Sequence, residues 1–281
     1  MITGFTARLP LDSELFPHDA LGTMVKKRAA SLLIRTQLQR MLHDPHPFNR
    51  LLGRAALLQF GKISDEDFRR DLDQFYSHLD ADSCKQDIDL ADKVNRLNRS
   101  GEYKTDVLGL RGDGSSGASR SWLDLWGRRF GLLRRLGVRS DVLVVRAGGQ
   151  VPPHGHSQVV SGFFVLEGEV GIRHYDRVQE FPDHVLLRKV VDTAIGPGGY
   201  TTNSEYHHNI HWLIGVAPVS YLFRFTVTDV PVRRFNSSAH SHVRDYVDPT
   251  VAPDASGLIP APYVTEAQAK QVEFIREPEH T

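Results

Sequence analysis

The chain has 281 residues, 40% hydrophobic and 24% charged, and its 34 basic residues balance its 34 acidic ones. That is the composition of an ordinary globular protein with no overall field to draw it onto nucleic acid or an anionic bilayer, so the expected partner is a small molecule, with no nucleic acid and no membrane. No stretch approaches the ~18 uninterrupted apolar residues of a membrane span. The single cysteine, Cys84, has no internal disulfide partner, and Met1 to Pro17 lacks the basic and apolar regions of a secretion signal, which makes a cytoplasmic location the expectation.

Residues 1–136 read as a helical N-terminal region. From about Ala20 to Leu97 apolar residues recur at helical spacing: Met24, Leu32, Leu38 and Leu42 in one segment, and Phe68, Leu72, Phe75 and Leu79 in another, after a capping-type Ser64-x-x-Asp67. Pro45 and Pro47 separate the two, because proline cannot sit inside a helix without removing a hydrogen bond. Gly112 to Ser119 forms a flexible link, and Trp122 to Leu136 reads as an amphipathic helix, with Trp122, Leu125, Trp126, Leu132 and Leu133 opposite its arginines. Such a stripe is expected to pack on its own protein.

After Gly137 the pattern changes to short β-rich runs: Val142 to Val145, Val159 to Leu166, Val170 to Val178, Val185 to Val191, Ile210 to Val216 and Tyr221 to Val227. Strands at this density with no helical period between them predict a sandwich or barrel over residues 137–230. In residues 231–281 Pro231, Pro249, Pro253, Pro260 and Pro262 interrupt regular structure, so this tail is expected to wrap the barrel as coil, with one helix near Thr265 to Phe274.

Histidine marks the chemistry. Seven of the 14 histidines fall between His154 and His211, whereas the His240-x-His242 pair lies in the proline-rich tail and is read as incidental. His154 and His156 lie on one face of an extended segment, because side chains alternate along a strand. With a third histidine on a neighbouring strand they can hold one face of a metal ion and leave the opposite face open. The plainer alternative is that these histidines only satisfy hydrogen bonds inside a barrel.

Gly148 or Gly149, His154, His156 and Gly168 stand where the first motif of the cupin superfamily places its glycine, two histidines and second glycine, and the resemblance covers residues 141 to 229. It implies a double-stranded β-helix, or jelly-roll, barrel. The glutamate ligand of that motif falls near Val160 or Ser161, neither of which is a carboxylate. Within the superfamily the chain therefore resembles the three-histidine thiol dioxygenases, whose third ligand lies in Asn-Ile-His; here Asn209-Ile210-His211 is followed by Pro218. The resemblance implies a metal held by His154, His156 and His211, with Fe(II) expected and Zn, Ni or Cu also compatible with imidazole. It also implies a non-haem oxygenase or oxidase acting with O2 on a small organic molecule. Two other readings are a cupin that senses a small ligand without catalysis, and a Zn or Ni cupin acting as isomerase or hydrolase.

The substrate is less transferable. Phe223 stands where the resembled enzymes carry an aspartate, and Thr226-Val227-Thr228-Asp229 replaces their Pro-Pro-Tyr. If Phe223 faces the metal, alternation puts Tyr221 and Phe225 on the same wall and predicts an aromatic pocket; a slip of one residue brings Leu222 and Arg224 inward, with Arg224 as an anchor for a substrate carboxylate. His207, His208, Asp176 and Arg224 are expected around the ligands, and His174 and His184 at the surface or behind them.

Overall fold

The computed structural model describes residues 36, 38–87, 90, 91, 107–109, 137–231 and 244–274. The linker from Gly112 to Ser119, the helix expected from Trp122 to Leu136, Met24, Leu32 and the His240-x-His242 pair lie outside them.

Residues 38–42 are helical, and after them α1, Pro47–Gln59, has proline in its first turn, where its missing N–H costs nothing. Helix α2, Asp65–Ser77, carries the capping box read from Ser64 and Asp67: the Ser64 hydroxyl accepts from the Asp67 N–H at 3.0 Å and the Asp67 carboxylate accepts from the Ser64 N–H at 3.3 Å. Helix α3, Ala81–Asp87, follows. The strands are β1 (Val107–Gly109), β2 (Val138–Arg146), β3 (Gln150–His156), β4 (Val160–Glu167), β5 (Val170–Glu180), β6 (His184–Ile195), β7 (Tyr200–Asn203), β8 (Ile210–Gly215), β9 (Val219–Val227), β10 (Arg244–Tyr246) and β11 (Ile259–Pro262), and a short helix α4, Glu266–Ala269, closes the described chain.

The strands form two sheets, ordered β1-β2-β9-β4-β7 and β10-β3-β8-β5-β6-β11. Without the edge strands β1, β10 and β11, two four-stranded antiparallel sheets remain, with β2, β4, β7 and β9 in one and β3, β5, β6 and β8 in the other. That interleaving is the eight-stranded jelly roll, the cupin double-stranded β-helix predicted above. Gly168, at φ +82°, makes the β4–β5 turn, where a Cβ would fall 2.4 Å from the Val219 carbonyl oxygen.

Both faces of the β2-β9-β4-β7 sheet are covered. Its inner face packs Leu143, Val145, Phe163, Val165 and Leu222 against Val170, Ile172 and Leu213 of the other sheet, which seals one end of the barrel. Its outer face packs Val142, Val144, Val160, Phe164, Tyr221, Phe223, Phe225 and Val227 against Phe48, Leu51, Leu58, Phe68, Leu72, Phe75 and Tyr76 of α1 and α2. Helix α2 comes so close at Gly162 that a Cβ there would lie 2.6 Å from the Tyr76 ring, and the Tyr76 hydroxyl donates to the Gly162 carbonyl at 3.0 Å.

This arrangement corrects two expectations. Tyr221, Phe223 and Phe225 do not line a substrate pocket; they are buried under the helices, because those amphipathic helices must cover an apolar sheet face and the odd-numbered residues of β9 supply it. The tail is more regular than coil: β10 pairs with β3 and β11 with β6 at the open edges of the second sheet, and only the helix after Thr265 was foreseen. Proline is tolerated in β11 because it is an edge strand.

Candidate metal centre

Strand β3 begins irregularly. Pro152 and Pro153 have no N–H for the ladder, and the pairing with β8 shifts register between Val151 and His154 before His154 falls opposite His211. The shift leaves the Pro152 carbonyl free to accept from His154 Nδ1 at 2.7 Å. On β8 the Asn209 carbonyl accepts from His211 Nδ1 at 3.2 Å. A carbonyl oxygen only accepts, so the His154 ring carries its proton on Nδ1 and presents a bare Nε2 lone pair to the barrel interior, whereas His211 Nδ1 lies between the Asn209 carbonyl and the Asn203 amide nitrogen, the latter at 3.3 Å.

His156, two residues along β3, completes the group. Its Nε2 lies 3.0 Å from His154 Nε2, and one ring nitrogen from each of His154, His156 and His211 lies within 4.8 Å of the others, the one such cluster among the described residues. Burial, followed by the charge of the neighbouring rings and of Arg244, pushes all three well below the ordinary histidine range, so all three are neutral at pH 7. A metal ion fits this donor set. Two nitrogens each ~2.1 Å from one ion and at a right angle to it are ~3.0 Å apart, and no protein group among those described binds His156 Nδ1 to force the proton onto the cavity side.

Asn209, first in Asn209-Ile210-His211, ties the two ligand strands together. Its amide N–H groups donate to the His156 carbonyl at 2.7 Å and the Ser204 carbonyl at 3.2 Å, and its amide oxygen accepts from Arg177 Nε at 2.7 Å. Arg177 is buried and also pairs with Asp245 of β10 at 3.0 Å. Gly155 makes this possible: a Cβ there would fall 2.3 Å from Arg177 Nη2 and 2.4 Å from Asn209 Oδ1.

The three histidines face a cavity of about 380 Å³. Leu143 and Phe163 stand beside His154 and His211 toward its closed end, with Ser161, Arg224 and Thr226 above, and Arg139, Arg244, Glu266 and Lys270 around the mouth. Ser161, near the position of the motif's glutamate ligand, faces this cavity and donates its hydroxyl to Asn203 at 2.7 Å. Of the residues expected around the ligands, Arg224 lines the cavity, where both its Nε and Nη2 donate to Asp141 at 2.7 and 2.6 Å. His207 and His208 lie on the bend before β8, and Asp176 lies on β5 beside them. The Asp176 carboxylate accepts from the His208 N–H at 2.8 Å, and the His207 and His208 rings lie 3.7 Å apart without lining the cavity.

His174, expected at the surface or behind the ligands, is fully buried opposite His211 in the β5–β8 register, with Nε2 3.0 Å from the Thr201 hydroxyl, and burial pushes it down to about 3. Of its two expected places, His174 takes the one behind the ligands, while Arg139 and Arg244 are neighbours of the site that the sequence reading does not name. A partial signal existed for His174, which shares inward parity with Val170 and Ile172 of the same strand.

No family model matches the sequence, and no curated protein matches it. Among solved structures, the chain is similar to oxalate oxidase (17% identity, 36% of this chain and 46% of that one, TM-score 0.26). It is also similar to the vicilin of Solanum melongena (16% identity, 44% and 29%, TM-score 0.30) and the Cnp3 cupin domain of Schizosaccharomyces pombe (13% identity, 33% and 57%, TM-score 0.26). The chain spans under half the length of the oxalate oxidase it matches.

Proposed function

We propose that this protein is a mononuclear metal enzyme in which His154, His156 and His211 hold Fe(II) and which uses O2 to oxidise or oxygenate a small organic molecule. The observation that carries the reading is the convergence of three neutral imidazole rings, His154 with its tautomer fixed by the Pro152 carbonyl, on an open cavity. Catalysis needs such open positions, whereas a purely structural site closes its coordination with a fourth protein ligand. Bound Fe(II) would supply the one-electron chemistry through which O2 reacts with organic molecules.

The chain's own groups do the rest. The Pro152 and Asn209 carbonyls orient His154 and His211, Asn209 holds the β3 backbone at His156, and Phe163 and Leu143 keep water from the closed end of the cavity. The absence of a carboxylate among the three ligands leaves the ion its full positive charge, which favours anionic oxygen or sulfur ligands. The resemblance of Asn209-Ile210-His211 to the thiol dioxygenases supports O2 as co-substrate. The thiol itself is not part of the proposal: Phe223 lies under the helices and says nothing about the substrate, and no residue lining the cavity selects a thiol.

Purification without added metal followed by metal analysis tests the ligand set. About one ion per chain is expected, falling well below one in His154→Ala, His156→Ala and His211→Ala, because each removes one of three protein ligands. Full retention in any variant overturns the assignment. An oxygen-electrode screen tests the chemistry: uptake that requires Fe(II) supports the oxygenase reading, and equal turnover with Zn(II) under nitrogen replaces it with a hydrolase or isomerase.

A further inference from the structure

The cavity mouth is basic beyond what its ion pairs neutralise. Arg139, Arg224, Arg244 and Lys270 line the cavity against the single carboxylate Glu266. Two of these cations are matched: Glu266 accepts from Lys270 at 2.6 Å, and Asp141, beside the cavity, takes both arms of the Arg224 fork. Arg139 and Arg244 have no carboxylate within ion-pair distance among the described residues; the one hydrogen bond of the Arg244 side chain is to the Tyr246 hydroxyl at 3.4 Å.

Register aims both arginines at the site. Arg244 of β10 lies directly opposite His156 of β3, and residues so paired share a face of the sheet with Cβ atoms about 4.5–5.5 Å apart. Arg139 of β2 lies opposite Thr226 of β9, itself a cavity residue, one inward position above the Asp141–Arg224 pair. Two guanidinium groups thus stand over three imidazoles, and no anionic side chain of the described residues lies among the histidines to offset their charge. A cavity of about 380 Å³ is at the small end of ligand pockets and admits a small molecule rather than a polymer.

We propose that Arg244 and Arg139 anchor the substrate, and that the substrate is a small organic anion whose carboxylate or phosphate group sits at the cavity mouth while its reacting end lies over the three histidines. The inference deepens the function proposed above and rests on it for the word substrate. Each guanidinium presents parallel N–H donors that match two oxygens of a carboxylate or phosphate, and two cations held near each other are stabilised by an anion between them. Arg224 serves differently: committed to Asp141, it braces the wall between the histidines and the mouth.

The test is calorimetric titration of chelator-treated and Fe(II)-loaded protein with succinate, methyl phosphate and the neutral succinamide. At least one anion should bind ten-fold or more tightly than succinamide in the chelator-treated protein, the tighter of the two identifying the anionic group. Binding should weaken as NaCl rises. Arg244→Ala and Arg139→Ala should each weaken it five-fold or more, with urea midpoints unchanged because both side chains are exposed, while Lys85→Ala, on α3 and not lining the cavity, should bind as the unaltered protein does. Anion binding no tighter than succinamide, or wild-type binding in the doubly substituted protein, overturns the proposal. Arginine-dependent anion binding in a protein that retains no metal would sink the metal reading alone; retained metal with no preference for anions would sink this one.

Discussion

Replacing Phe223 with alanine should destabilise the protein by about 3–5 kcal/mol while leaving the metal site unchanged. Phe223 is fully buried between β9 and the helices, edge-on to Tyr76 with ring centroids 6.2 Å apart, opposite Val142 of β2 and Phe164 of β4 in the sheet register. A buried aromatic side chain removes ~150–250 Å² from water, which at ~25 cal/mol per Å² is about 4–6 kcal/mol, and alanine keeps part of that area. For a domain of this size each kcal/mol lowers Tm by roughly 2–4 °C, so a fall of about 10 °C is expected, with Phe223→Leu losing less than half as much. Calorimetry on both variants, with metal content measured on the folded protein, checks the magnitude. An unchanged Tm together with altered metal content or substrate preference would show that Phe223 faces the cavity after all.

Tyr76→Phe removes the hydroxyl that donates to the Gly162 carbonyl, so it should cost about 0.5–1.5 kcal/mol in urea unfolding; no loss would mean the helices are not docked at Gly162. Gly155→Ala drives a methyl group into Arg177 and Asn209 and should lower both the urea midpoint and metal retention, whereas a loss of stability with full metal content would free Asn209 of any role in holding His156. His174 and the three cavity histidines are neutral when folded and protonate freely near 6.5 when unfolded, so the unfolded chain binds more protons below that pH. Stability is therefore fully present above 6.5 and should fall by about 1.4 kcal/mol per pH unit per histidine as pH drops, for His174 down to about 3. Equal urea midpoints at pH 7 and pH 5.5 in chelator-treated protein would show these rings to be charged in the folded state.

The barrel and its three converging histidines could be read from residue pattern because they rest on local signals: dense β-branched runs, glycine at a turn needing positive φ, and two histidines at the strand period. Strand β3 was harder to see as a strand, since Pro152 and Pro153 are depleted in sheets and are accommodated here only by the register shift that also orients His154. Strand β7, four residues between Gly199 and Ser204, is too short for a periodic signal.

The phase of β9 failed for a different reason. In a sheet covered on one side the apolar set faces the core, so Tyr221, Phe223 and Phe225 would point into the barrel. Here the larger apolar layer lies outside the barrel, beneath α1 and α2, and the interior must hold polar groups around the histidines. The same strand had a clue to that inversion in Arg224 and Thr226, which alternate with the aromatics and could not both face an apolar helix without burying an unpaired charge. Facing inward, Arg224 meets Asp141 at the matching position of β2, so the charge is paired and the strand's two faces are both satisfied. The neighbours of the site that no local pattern reveals, Arg244 beside His156 and Arg139 beside Thr226, are fixed by pairing between strands distant in sequence, and side-chain alternation gives their inward direction only once that pairing is known.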